Sequence, residues 1–342
     1  MTTGRIPPPP PGIYYGISEA VYRSWDAVNW SCLKTIAKTP RHYRHASMAE
    51  PSESSDAQEQ GTLFHSLLLE PDAAKTRYIV APREYPSEIS TGRGDNKVIE
   101  TVEKPWNMNA TFCKDWAALQ NAEGRVICKT YDLQAARAMV ASVMEIPDAV
   151  VFLKGSQTEV SIVWDDPQTG LRCKARLDIV NHGQLGDVKS SAKSLAWEEF
   201  ARTVKYWGYA GQMAFYRDGL NAAMTGAGQP LPKVPMARFI CAETEPPYSA
   251  AVYDLYDVPG SVSHDWFAYG RGLYRDYLRQ VADCISSGHY PTWNQTDPSK
   301  PPEAMELAVP DYVRLDAPAP VYKSADDQLD AVFGKGEAND NK

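Results

Sequence analysis

Residues 171–189 read LRCKARLDIVNHGQLGDVK, and their period decides how the rest of the chain is read. Cys173, Ala175, Leu177 and Ile179 alternate with Arg172, Lys174, Arg176 and Asp178, the two-residue repeat of a strand with one apolar face. A turn at Asn181 to Gly183 leads into a second strand, Gln184 to Lys189. Side chains at i and i+2 share a face, so Asp187 and Lys189 project together while Val188 points into the core. If the two strands form a hairpin, Asp178 arrives beside them. Two carboxylates and the Val188 carbonyl are hard oxygen donors of the kind that hold Mg2+. The Lys189 ammonium can position and help deprotonate a water, or stabilise the charge that builds on a phosphate. These are the parts needed to hydrolyse a phosphodiester. An isolated Asp-x-Lys is also a common surface pair worth about 0–1 kcal/mol, so the surroundings must decide between the two.

Outward from this hairpin the pattern alternates between strands and helices. Val160, Ile162 and Trp164 alternate with Glu159, Ser161 and Val163, and Pro167 to Gly170 makes a turn. Beyond the hairpin, Trp197 to Leu220 is a long helical pattern, Ala237 to Ala242 and Ala250 to Tyr256 are strands, and Asp265 to Ile285 is a last long helix. On the N-terminal side, Asn29 to Ala37 is a short helix capped by Asn29 or Ser31 and stopped by Pro40. Pro51 to Gln60 is polar and loop-like, and Gly61 to Glu70 is an apolar helix ended by Pro71. Residues 72–130 give no clear pattern, with a loose stretch at Ser90 to Asn96. Leu133 to Met144 is amphipathic and helical. The expected class is α/β, a mixed central sheet flanked by helices. The expected organisation is a flexible proline-rich leader at 1–12, one catalytic domain at 13–290, and a largely extended or disordered tail at 291–342 with one weak amphipathic segment, Ala325 to Phe333.

The composition narrows the function. The 342 residues are 43% hydrophobic and 23% charged, with a net charge of −8. That balance argues against coating nucleic acid by bulk charge, but not against a local basic channel. The six cysteines are scattered with no Cys-x-x-Cys pair, which removes zinc and iron–sulfur spacing and suits a reducing cytoplasm. The opening residues are polar and proline-rich, unlike a signal peptide, and no apolar run approaches the roughly 20 residues that span a bilayer.

Several motifs together resemble one family. Gly61-x-x-x-His65, the Asp178 strand, Asp187-Val188-Lys189 and Gln212-x-x-x-Tyr216 stand in the order and approximate spacing of the RecB-like branch of PD-(D/E)xK nucleases. Trp30 to Lys34 with Thr39-Pro40, Gly61 to His65 running into Leu69-Glu70-Pro71, Thr169 to Asp178, and Glu243 with Pro246-Pro247-Tyr248 resemble the exonuclease VIII (RecE) family. The likeness covers roughly residues 14 to 290. It implies a restriction-endonuclease-like core and an exonuclease that degrades linear double-stranded DNA from an end, 5′ to 3′, leaving 3′ single-stranded tails. It also implies Mg2+, replaceable by Mn2+, a ring-shaped homo-oligomer, a single-strand annealing protein as partner, and a bacterial or phage setting.

Carried over residue by residue, the resemblance makes His65 a metal ligand beside Asp178, Asp187 and the Val188 carbonyl. Glu159 would hold a metal or its water, and Gln212 and Tyr216, one turn apart on a helix, would support the site or touch the phosphate backbone. Arg172, Lys174 and Arg176 share the Asp178 face and form an expected basic strip for DNA, extended by Lys193, Arg202 and Lys205. Arg41 to His45 is a second candidate DNA contact on an exposed turn. Two other functions stay open: an endonuclease or single-strand exonuclease of the same chemistry, and a catalytically silent DNA-binding scaffold.

Overall fold

A two-residue turn sets the register at the centre of the sheet. His182 and Gly183 both have positive φ, 48° and 75°, which is the backbone twist that matches two flanking antiparallel strands. Asn181 therefore faces Gln184, and Val180 faces Leu185.

The computed structural model describes residues 5–49, 56–91, 97–295 and 300–304. The chain divides into two units, Met1–Thr292 and Trp293–Lys342. Most of the expected tail, including Ala325 to Phe333, lies outside the described residues, as do 51–55 and 92–96. In chain order the first unit runs β1 (Gly12–Tyr14), α1 (Glu19–Ser24), α2 (Trp30–Leu33) with a 3-10 turn to Ala37, α3 (Pro40–Met48), α4 (Asp56–Leu69) and α5 (Pro71–Arg77). It continues through β2 (Tyr78–Val80), β3 (Glu84–Thr91), β4 (Val98–Pro105), α6 (Thr111–Ala122), β5 (Val126–Cys128), α7 (Thr130–Met144) and α8 (Pro147–Leu153). Then come β6 (Gln157–Asp165), β7 (Arg172–Asn181), β8 (Gln184–Ser191), α9 (Trp197–Tyr206), α10 (Tyr209–Gly226), β9 (Met236–Glu243), β10 (Ala250–Tyr256) and α11 (His264–Ser287).

The main sheet has the order β1-β6-β7-β8-β9-β10, with β8 and β9 parallel and the other pairs antiparallel. It is the mixed α/β sheet that the alternating pattern predicts. One core packs α2, α10 and α11 against Ile162, Leu177 and Phe239. The other packs α4, α7 and α8 against Ile179, Val188 and Ile240. Close helix approach depends on missing side chains: a Cβ at Gly270 of α11 would lie 2.2 Å from the Ala210 carbonyl oxygen of α10, and one at Gly211 would lie 2.2 Å from the Trp30 ring. Among the described residues no helix is long and apolar enough to cross a membrane.

Several expectations need correction. The helical pattern from Trp197 to Leu220 is two helices, because Gly208 adopts φ 72° and turns the chain between them. Pro40 starts a helix as well as ending one: Thr39 caps α3 through the His42 N–H, and proline fits the first helical position. Arg41 to His45 is thus helical, with Tyr43 buried. Helix α4 begins at Asp56, inside the expected loop, and Pro71 opens α5. The leader is pinned, not free, over residues 5–12. Ile6 exchanges backbone hydrogen bonds with Ser24 and Asp26, and the Pro9 carbonyl accepts from Arg172. The apolar face expected from Cys173 to Ile179 also changes sides, since Leu177 joins one core and Ile179 the other.

Candidate active site

That change of side occurs at Asp178, where two hydrogen-bond ladders break together. Strands β7 and β8 pair from Asn181–Gln184 to Ile179–Gly186 and then part. The Val188 N–H, left without a carbonyl by the parting, donates to Asp178 Oδ2 at 2.8 Å. Leaving such a buried donor unpaired would cost about 1–3 kcal/mol, so this bond fixes where the Asp178 carboxylate sits. On the other side, Thr158–Ile179 and Val160–Leu177 pair, but Glu159 and Asp178 between them do not. Glu159 takes φ 55°, a backbone conformation that costs a residue with a side chain about 1–2 kcal/mol. Far along β7, Val28 takes the place that β8 has left, bonded to Arg172 and Lys174.

The opening lets groups from both helical layers reach the same acids. From α4, His65 Nε2 lies 3.2 Å from Asp178 Oδ2, and Nδ1 lies 3.4 Å from Glu159 Oε1. One turn before it, Gly61 allows α4 to approach β8: a Cβ there would stand 2.8 Å from Ser190 Oγ. From α10, Gln212 Nε2 donates to Asp187 Oδ1 at 3.1 Å, and Tyr216 follows one turn on along the same helix. The Lys189 ammonium touches Asp187 Oδ2 and sits 4.7 Å above the Tyr209 ring. Arg176 clamps Glu159 from behind and donates to the Ile17 carbonyl. These groups line or underlie a cleft of about 1260 Å3.

Charge in this cleft is finely balanced. Burial pulls the His65 pKa down, but Asp178, Glu159 and Asp187 outweigh it and raise the value to about 9. Burial raises the Asp187 carboxyl to about 6, with Lys189 opposing and Asp178 assisting. Burial also favours protonated Asp178, yet His65 and Lys189 hold its pKa below the usual carboxylate range. Lys189 loses solvation, but Asp187 and Asp178 more than compensate, so its ammonium keeps its proton.

The donor set fits a hard divalent cation. Asp187 is 1% exposed, and its Oδ2, although in ionic contact with Lys189, takes no directed hydrogen bond. Three carboxylates (Asp178, Asp187, Glu159) face three cations, Lys189, Arg176 and a His65 whose raised pKa keeps its proton; a metal bound through His65 would displace that proton and leave one net negative charge. The Val188 carbonyl leaves the same edge of its strand as the N–H that Asp178 holds. Among the described residues no group of three or more His, Cys, Asp or Glu side chains is arranged, as it stands, to hold a metal ion. The acids are instead bridged by the His65 ring and the Lys189 ammonium.

Eight of the expected site residues converge here: His65, Glu159, Asp178, Asp187, Val188, Lys189, Gln212 and Tyr216. The basic strip does not form. Lys174 is 2% exposed and its ammonium donates to the carbonyls of Tyr22 (2.9 Å), Arg23 (3.4 Å) and Trp25 (2.5 Å). Arg172 pairs with Asp165, and Arg176 with Glu159. Lys193 does line the cleft, whereas Arg202 pairs with Glu199 and Lys205 is exposed on α9 away from the lining. Two neighbours of the site were not singled out from sequence. Tyr209 could have been found, because it stands three residues before Gln212 on the same helical face. Lys34, whose pKa is lowered by burial and by Lys189, carries no sequence signal beyond its place in the Trp30 to Lys34 motif.

A family model described as "PDDEXK-like domain of unknown function (DUF3799)" matches residues 29–295. The chain belongs to this PDDEXK-like family. The match spans all eight converging residues, and nucleases of the PD-(D/E)xK superfamily generally use divalent metal ions. Among solved structures, one described as "Putative exonuclease" from Eubacterium rectale is similar at 12% identity and a TM-score of 0.49, covering 89% of this chain and 99% of its own. No curated protein sequence matches the chain.

Proposed function

We propose that this PDDEXK-like protein is a Mg2+-dependent exodeoxyribonuclease that degrades linear double-stranded DNA from an end. The observation that carries the reading is that Asp178 and Lys189 line one cleft while Asp187, buried against Lys189, lies beneath it, with Asp178 anchored on the Val188 N–H. Asp178, Asp187, the Val188 carbonyl and His65 would hold the cation. A bound divalent ion supplies a Lewis acid for the phosphate and lowers the pKa of its water. The protonated Lys189 is suited to stabilising charge that develops on the phosphate oxygens, in a site where water is scarce and the effect is large. Gln212 fixes the Asp187 carboxylate, and Arg176 fixes Glu159, so neither acid must reorganise during reaction.

The finer reading rests on the likeness to exonuclease VIII: 5′ to 3′ polarity, 3′ tails passed to a single-strand annealing protein, a ring-shaped oligomer around DNA, and Mn2+ able to replace Mg2+. A time course on end-labelled linear duplex with Mg2+ tests activity and polarity together. Linear DNA should shorten from its 5′ ends while closed circles survive. Cutting of closed circles would point to an endonuclease. No hydrolysis of any DNA with Mg2+ or Mn2+ would make the protein a silent scaffold.

A further inference from the structure

We infer that Trp207, beside Tyr206, is a stacking platform for an unpaired nucleobase in the cleft that Asp178 and Lys189 line. This deepens the nuclease reading and rests on it. Tryptophan is usually a buried residue, and Trp25, Trp30 and Trp164 are 3–5% exposed here. Trp207 is 52% exposed and Tyr206 is 78% exposed, side by side at the α9–α10 corner, with ring centroids 4.9 Å apart at 87°. The corner itself is held. Trp207 closes the last turn of α9 through the Thr203 carbonyl, and Gly208 then turns the chain beside the Trp30 ring. The large rings are thus fixed at their backbone while half or more of each residue is open to solvent.

Position supplies the occupant. Trp207 lines the same cleft as Asp178 and Lys189, and Tyr209, two residues on, carries the Lys189 ammonium over its ring. Trp207 and Tyr209 thus line the same cleft as Asp178 and Lys189, with Lys193 as a further cation in the lining. Asp187 and Lys189 are 1% and 16% exposed, so a phosphodiester must descend into the cleft to meet them. A single strand can do this, while a base still paired in a duplex holds its phosphate outside. Unpairing has a cost, and stacking on an aromatic face offsets it without regard to which base is present. Trp207 would favour strands whose terminal base has left its partner.

The test uses the full chain in EDTA, so that no cleavage occurs, with a ten-residue oligothymidylate and an abasic oligonucleotide of equal length. The oligothymidylate should quench tryptophan fluorescence, and Trp207→Phe should remove most of that quenching while Trp197→Phe, which alters a more exposed ring outside the cleft lining, should not. Trp207→Ala should weaken oligothymidylate binding by about 5- to 150-fold, the range that stacking one base provides, and leave the abasic strand's affinity unchanged. Equal loss for both strands, or no loss for either, would overturn the assignment. So would loss accompanied by a changed sedimentation coefficient, which would give Trp207 to a second copy of the chain. Base-dependent binding in a protein that hydrolyses no DNA would sink the nuclease reading alone. Hydrolysis with base-independent binding would sink the platform alone.

Discussion

Two clusters of acids lie along α10, one at its first turn and one near its middle, and they are built differently. Near the middle, half-buried Asp218 and Asp257 share Arg271: its guanidinium donates to both oxygens of each, and Tyr274 adds a further bond to Asp218. Every carboxylate oxygen is satisfied. At the first turn, buried Asp187 meets a lysine, which offers a point charge in place of a planar fork, and its Oδ2 lacks a directed hydrogen bond. Nearby Glu159 holds a strained backbone. The satisfied cluster joins α10 to α11 and to the chain beyond β10. The less fully bonded one lies directly beneath a cleft that Asp178 and Lys189 line. The contrast teaches that burial of acids does not itself mark a reactive site; incomplete satisfaction beside an opening does.

Substitutions can break this contrast. The largest effect belongs to Asp187→Asn, which keeps shape but removes a ligand charge; hydrolysis of linear duplex should fall by at least about a thousandfold, of the order of losing a key electrostatic group, while the thermal midpoint stays within a few degrees. Single-turnover kinetics and thermal unfolding together check it. Next, Arg271→Ala should show the reverse split. It strands two acids and should destabilise by about 2–4 kcal/mol in urea unfolding, somewhat below a fully buried pair because Arg271 is 22% exposed, with little change in turnover per folded molecule. Gly211→Ala sharpens the comparison from the helix between the clusters. Its methyl group would press on Trp30, so stability should fall by about 1–3 kcal/mol, and activity should fall with it because Gln212 is adjacent. The smallest effect is Gln212→Ala. Losing its bond to Asp187 should lower turnover about tenfold, seen in initial rates, with the unfolding midpoint nearly unchanged.

The centre of the fold was legible because its signals are local. Period-two alternation, the His182-Gly183 turn and Asp187-Val188-Lys189 all lie within twenty residues and need only strand geometry to interpret. What remained hidden depends on partners distant in sequence. Lys174 reads as a solvated strand residue until the carbonyls of Tyr22, Arg23 and Trp25 close over it. Strand β6 alternates in sequence, but its second face is covered as well, so Ser161 and Val163 are as buried as Ile162. The change of face at Asp178 arises where two ladders break, and no periodicity announces that. The proline run of the leader suggested looseness, yet its hydrogen bonds come from Arg172 and from the backbone around Trp25.

The hidden cations of β7 have one further consequence. A protein that spends Arg172, Lys174 and Arg176 on its own oxygens cannot use that strip to displace counter-ions from a phosphate backbone. If Lys189 and Lys193 are the main contacts, the logarithm of affinity for a single strand falls with the logarithm of ionic strength at a slope of only about −1.4. A fourfold rise in salt then costs only about sevenfold in affinity, far less than for a protein that makes many phosphate contacts, and the hold on substrate owes more to shape than to charge.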